Sequence, residues 1–158
     1  MSYFSEEEKE LLARLICMSV REVVVADGEI RDGEFSPLAG SIDIAEIFPI
    51  PITGEVLKYI QEKGHHEYAI GIIKEINDDI DVAEEIIEFG KRVIENLNKK
   101  DKEMFLAGLY GILLETVHAD GVKTQEESAT VSQIMQYIGN VSLKDAYKMD
   151  KTWRKYAS

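Results

Sequence analysis

Apolar residues recur along this chain at three- and four-residue spacing, the signature of helices with one face turned inward. Leu11, Leu12, Leu15, Ile16, Ser19 and Val23 form one such stripe. Ser5 precedes it as a cap, and Glu6, Glu7 and Glu8 lie at the positive end of the helix dipole. Asp27-Gly28 ends the run, so the first helix is predicted over 5–26. A second helix should begin between Arg31 and Pro37, with Asp32 or Ser36 as its cap, and end before Pro49. Phe48-Pro49-Ile50-Pro51-Ile52 reads as an extended apolar connector, because each proline removes a donor and biases its predecessor away from helix.

Further helices are predicted from Thr53 to Gly64, His66 to Ile76, Asp81 to Leu97, Asp101 to Ala119 and Thr124 to about Ile138, with a last short one capped by Ser142. In the stretch from Asp81, the residues Val82, Ile86, Phe89, Val93 and Leu97 should face inward. Strand alternation occurs nowhere, and no Gly/Ser-rich linker divides the chain. The expected fold is all-α, with seven to eight helices in one domain spanning residues 1–158.

Composition narrows the function. The chain has 158 residues, 45% hydrophobic and 30% charged, which suits a globular domain with a real core. Eighteen Lys+Arg against 30 Asp+Glu give a net charge of -12. Such a surface repels a phosphate backbone, so nucleic acid is not expected as a partner, and cations or basic protein surfaces are. Cys17 has no partner for an internal disulfide, which suits a reducing compartment. The N-terminus lacks a basic region followed by an apolar stretch, and no apolar run approaches the roughly 18 residues of a membrane span. The expectation is a soluble, unprocessed cytoplasmic protein.

Displacing the chain on itself by 93 residues reveals an internal repeat. Residues 24–34, VVADGEIRDGE, lie over residues 117–127, VHADGVKTQEE, with five of eleven positions identical. The same register adds Glu22 over Glu115, Lys9 over Lys102 and Glu10 over Glu103, making eight matches in positions 9–34. Each copy reads helix, Asp-Gly, short turn, helix. Glycine closes a helix without steric cost, which accounts for Gly28 and Gly121 on structural grounds alone. In the second copy Thr124 and Glu127 have the spacing of a capping box. The first copy has Arg31 in place of Thr124, so that account does not extend to Glu34.

Two Ala-Asp-Gly motifs, each with a glutamate seven residues after the aspartate, in an acidic all-helical chain, resemble the tellurite-resistance TerB family. The resemblance implies a TerB-like fold whose halves are related by a pseudo-twofold axis. It implies gathered acidic residues that bind a divalent metal, and a stress or tellurite-resistance role exerted through protein partners rather than catalysis. Those partners would be other stress-response proteins, including a membrane-associated complex. The matching positions are Asp27, Glu34, Asp120 and Glu127, with Glu22 and Glu115 as flanking candidates and His118 in a packing or second-shell role. The chain departs from the pattern twice. Val122 stands where the first copy has Glu29, and Gly33 should loosen the helix after the first motif, so the halves need not contribute equally.

Four carboxylates with turn carbonyls would suit a hard cation such as Ca²⁺, Mg²⁺ or Mn²⁺, with Zn²⁺ as a further option. Glu22 lies about 140° around the helix from Asp27, which weakens both flanking candidates. An EF-hand fails on spacing, since a loop begun at Asp27 puts Asp32 where glycine is needed and Leu38 where glutamate is needed. Asn77-Asp78-Asp79-Ile80-Asp81 lacks the glycine too and reads as a helix connection. His65 and His66 point about 100° apart on a helix and read as surface residues rather than zinc ligands. No phosphate loop, nucleophile elbow or paired-cysteine motif is present, and a helical di-metal hydrolase would need the Glu-x-x-His motif that is absent. The segment from Lys144 to Ser158 carries +3 against -15 for the remainder, with Tyr147, Trp153 and Tyr156 interleaved. It reads as a final helix docking its aromatics on the core, or as a tail that engages an acidic surface. The competing function is a metal-free interaction module whose acidic face binds a basic partner or a membrane complex.

Overall fold

The computed structural model describes residues 2–26, 33–119, 125–141 and 143–158; of residues 126–128, 143 and 144 it describes the backbone alone. The described residues form eight α-helices and one 3₁₀ turn, with no strand among them. In chain order these are α1 (Glu6–Val25), α2 (Ser36–Asp43), the 3₁₀ turn (Ala45–Ile47), α3 (Pro51–Lys63), α4 (His65–Asp78), α5 (Asp81–Glu95), α6 (Lys99–His118), α7 (Gln125–Gly139) and α8 (Leu143–Ala157). Among the described residues, no helix is long and apolar enough to cross a membrane.

The two longest helices organise the rest. α1 packs against α3, α4, α5, α6 and α7, and α6 packs against α1, α2, α3, α7 and α8. Each is therefore buried around most of its circumference instead of along one stripe. In α1, Ala13, Cys17, Met18 and Val20 are as buried as the predicted Leu12, Leu15 and Ile16. Both helices hide a hydroxyl by bonding it one turn back: Ser19 Oγ donates to the Leu15 carbonyl at 2.7 Å, and Thr116 Oγ1 to that of Ile112 at 2.8 Å. Cys17 is fully enclosed, and burial pushes its thiol pKa up to about 12, slightly countered by Arg14.

The α1 cap is the predicted one, a reciprocal box of Ser5 and Glu8. The segment ahead of it is tied down by Glu55 of α3, which accepts from the amides of Tyr3 at 3.0 Å and Phe4 at 2.9 Å. Phe4 then meets Phe105 of α6 edge to face, with ring centroids 6.0 Å apart.

Several boundaries differ from expectation. α3 begins at Pro51, not Thr53, because a proline at the first helical position sacrifices no intrahelical bond; only residues 48–50 remain as connector. α6 begins at Lys99, since Asn98 rather than Asp101 is its cap and accepts from the Asp101 amide at 2.9 Å. α8 runs for 15 residues where a short helix was expected, and Ser142 lies outside the described residues. Gly64, at φ 142, turns α3 directly into α4. Phe89 does not face inward: it is 36% exposed, beneath the Arg92 guanidinium at 5.4 Å, while Gly90 and Ile94 take the buried positions with Ile86 and Val93. The inward arc of α5 is thus rotated towards Gly90, whose missing side chain admits Leu15 of α1.

α8 docks on α6 in the same way. Trp153 lies flat over Gly111, and a Cβ at that position would overlap the indole ring. Tyr110 donates to Asp150 at 2.6 Å, and Arg154 Nε donates to the same carboxylate at 2.9 Å. Burial alone would raise the Asp150 carboxyl, but the Tyr110 hydroxyl and Arg154 outweigh it and hold its pKa below the ordinary range.

Gly111→Ala should destabilise the protein by about 1–3 kcal/mol through overpacking. Trp153 is the only tryptophan, so urea unfolding followed by its fluorescence reads the docking of α8 directly. Tyr110→Phe should cost about 1 kcal/mol at neutral pH. A depressed carboxyl stabilises the fold above its unfolded pKa and loses that contribution as pH falls through its folded one. The gap between wild type and Tyr110→Phe should therefore close as pH drops below 3.8, measurable by denaturation at stepped pH.

Candidate functional site

The two repeat copies share their first helix to the residue. α1 and α6 are each 20 residues long, and 93 residues separate their starts, their ends and their caps, Ser5 and Asn98. In both, the cap side chain accepts from the third helical amide, that of Glu8 or Asp101. Their C-terminal ends agree as closely. Ala26 has φ -59 and ψ -34 with its N–H on the Val23 carbonyl at 3.3 Å; Ala119 has φ -59 and ψ -36 with its N–H on the Thr116 carbonyl at 3.3 Å. Neither last turn carries Lys or Arg, so neither helix offsets the negative end of its dipole with such a cation of its own last turn.

Asp27 and Asp120, which follow those ends, lie outside the described residues, as does Thr124 of the expected capping box. Glu34 and Glu127 occupy different local structures. Glu34 sits in the turn before α2 and is 1% exposed, whereas Glu127 is the third residue of α7. Gly33 accounts for this difference. At φ 89 it stands outside helical space, its carbonyl accepts from the Ser36 amide at 3.0 Å, and α2 starts only at Ser36.

The flanking candidates diverge as well. Glu22 faces Arg21 at 2.9 Å, and Arg21 also donates to Asn77 of α4 at 2.6 Å. Among the described residues Glu115 makes no hydrogen bond or ion pair, and although much of its surface is open, desolvation raises its carboxyl pKa. His118 is exposed as the last residue of α6, so the packing half of its expected role is not realised. His66 bonds Asp43 at 3.1 Å on the surface beside exposed His65, as the sequence suggests. Among the described residues, no group of three or more potential metal ligands comes together.

Compared with protein-family models, curated proteins and solved structures, the chain matches none.

Two concave features were not anticipated from sequence. A groove of about 450 Å³ runs between α2 and α4, lined by Phe35, Leu38, Ile42, Ala69, Ile70 and Ile73, and it begins at Gly33 beside Glu34. Its spacing in sequence is ordinary amphipathic spacing, which marks an inward face and cannot tell a filled face from an open one. A second groove, of about 380 Å³, lies where the start of α6 meets the end of α7 and the middle of α8. Lysines from distant parts of the chain surround it.

A raised carboxyl is destabilised when ionised, so its effect is absent below its unfolded pKa and grows as pH rises through the folded one. Glu115→Gln should therefore raise Tm at pH 7 by about 1 °C, a small effect because the group is well screened. The difference should vanish at pH near 4, which paired thermal melts would register.

Proposed function

We propose that this chain is a non-enzymatic TerB-like module of a stress or tellurite-resistance system that binds a divalent cation through its two Asp-Gly motifs. The observation that carries the reading is the agreement between the ends of α1 and α6. Equal length, equal cap geometry and the same following Ala-Asp-Gly argue that one unit was duplicated and kept in register. Two helix C-termini without Lys or Arg, each leading into an aspartate, favour a positive ion over an anion. Asp27, Asp120, Glu34 and Glu127 are the proposed ligands, with Glu115 as a flanking carboxylate whose raised pKa would fall on cation binding. All-oxygen ligation favours Ca²⁺, Mg²⁺ or Mn²⁺ over Zn²⁺. The proposed setting is the cytoplasm, with other stress-response proteins or a membrane-associated complex as partners.

The second reading is a metal-free interaction module. It is favoured by the many exposed carboxylates that converge on no common point among the described residues.

Thermal unfolding of metal-stripped protein, titrated with Ca²⁺, Mg²⁺, Mn²⁺ and Zn²⁺ beside Asp27→Asn/Asp120→Asn, separates the two. Cation at ten times its dissociation constant should stabilise wild type by about 1.4 kcal/mol and leave the variant unmoved. Equal responses of wild type and variant to every cation would eliminate the metal reading and leave the acidic face as a docking surface.

A further inference from the structure

The fold gathers charge that the sequence scatters. Residues 99–102 and 144–155 hold eight of the 18 basic residues and three of the 30 acidic ones, a local +5; the remaining ten against 27 leave -17. α8 packs on α6, so these two segments meet at the second groove. Lys99, Lys102 and Lys148 form its rim, and Leu106, Val141 and Met149 its apolar floor. Glu103 holds Lys148 only loosely, at 3.4 Å, and Asp145 stands on the same wall. Lys99 and Lys102 make no ion pair among the described residues, although they belong to a strongly acidic protein.

The start of α5 carries the complementary charge around an exposed apolar side chain. Ile80, 74% exposed, projects from the α4–α5 corner between Asp78, Asp79 and Asp81. Asp79 accepts from the Asp81 amide at 3.0 Å, and among the described residues none of the three aspartates is in an ion pair. Ile47, also strongly exposed among the described residues at 77% and beside an acid, is unlike it because Glu46 is already held by Lys58. Ile80 precedes α5 and Lys99 follows it, so a 15-residue helix about 22 Å long stands between knob and groove along the chain. One molecule cannot join its own two surfaces.

We propose that the occupant of the lysine-rimmed groove is a second copy of this chain, with Ile80 on the apolar floor and its flanking aspartates on Lys99, Lys102 and Lys148. Knob and groove are different surfaces, so the contact is heterologous and repeats head to tail, closing into a ring or extending as a filament. Its attraction is largely electrostatic, and salt weakens it.

Sedimentation velocity of the full chain, from about 10 μM to about 1 mM, covers the affinities of small charged interfaces. In low salt the weight-average mass should climb above the 17.9 kDa of one chain, and about 0.5 M NaCl should reverse the climb. Ile80→Ser and Lys99→Glu/Lys102→Glu should each need at least about tenfold more protein to associate. Mixed together, the two variants should form a capped one-to-one pair, because each retains the surface the other has lost. Far-UV circular dichroism checks that each is folded; Asp78→Asn/Asp81→Asn and Lys102→Gln replace whichever is not. A wild-type mass fixed at one chain throughout, variants that associate as wild type does, or a mixture that stays monomeric would each overturn the proposal. So would binding to anionic vesicles or duplex DNA without self-association.

Discussion

Two helices that are apolar on nearly every side cannot be left beside water, and the remaining architecture answers that requirement. A helix with one apolar stripe can lie on a surface, whereas α1 and α6 must be enclosed. α3, α4, α5 and α7 surround α1, and α2, α3, α7 and α8 complete the cover of α6. Enclosure at this density leaves little room for side chains at the closest approaches. Hence Gly90 meets Leu15, Gly108 meets Thr53 and Gly111 meets Trp153. Polar groups within the wrapped helices are handled locally, by hydroxyls that bond their own helix, so no partner must be recruited into the core.

Most of this was legible in the chain. Helix number, the acidic start of α1, the Ser5 cap and the position of Gly64 follow from local chemistry that tertiary contacts leave alone. What escaped was set by packing. A stripe from Leu11 to Val23 says which face is most apolar, but not that four more helices will cover the others. Phe89 belongs to the apolar arc of α5 by spacing, yet Gly90 defines the inward direction because it alone lets α5 approach Leu15. Pro51 reads as a helix breaker in isolation and serves as a helix start once Ile50 adopts an extended conformation. The candidate site was legible only in part. Its periodicity of 93 residues is visible in sequence and reappears in the caps of α1 and α6. The unequal placement of Glu34 and Glu127 turns on the backbone angle of Gly33, the extra glycine that in sequence already marks the first motif as the looser one.

Charge follows a similar division. Net acidity is a property of composition, but polarity is a property of the fold. Nothing in the order of the chain places residues 99–102 beside 144–155; the docking of Trp153 on Gly111 does. A close contact between an indole and a glycine backbone thereby helps decide where the basic side chains of an acidic protein collect. The hydrogen-bonded trio of Tyr110, Asp150 and Arg154 fixes the same two helices at their edge.

The enclosure of α1 has a practical corollary in Cys17. Its sulfur is fully covered and its ionisation is suppressed, so the thiolate that reacts with alkylating reagents forms only when the bundle comes apart. The protein thus carries a native chemical clock for global opening. A cysteine introduced on the outer face of any helix would take a dye or spin label while this one stayed silent.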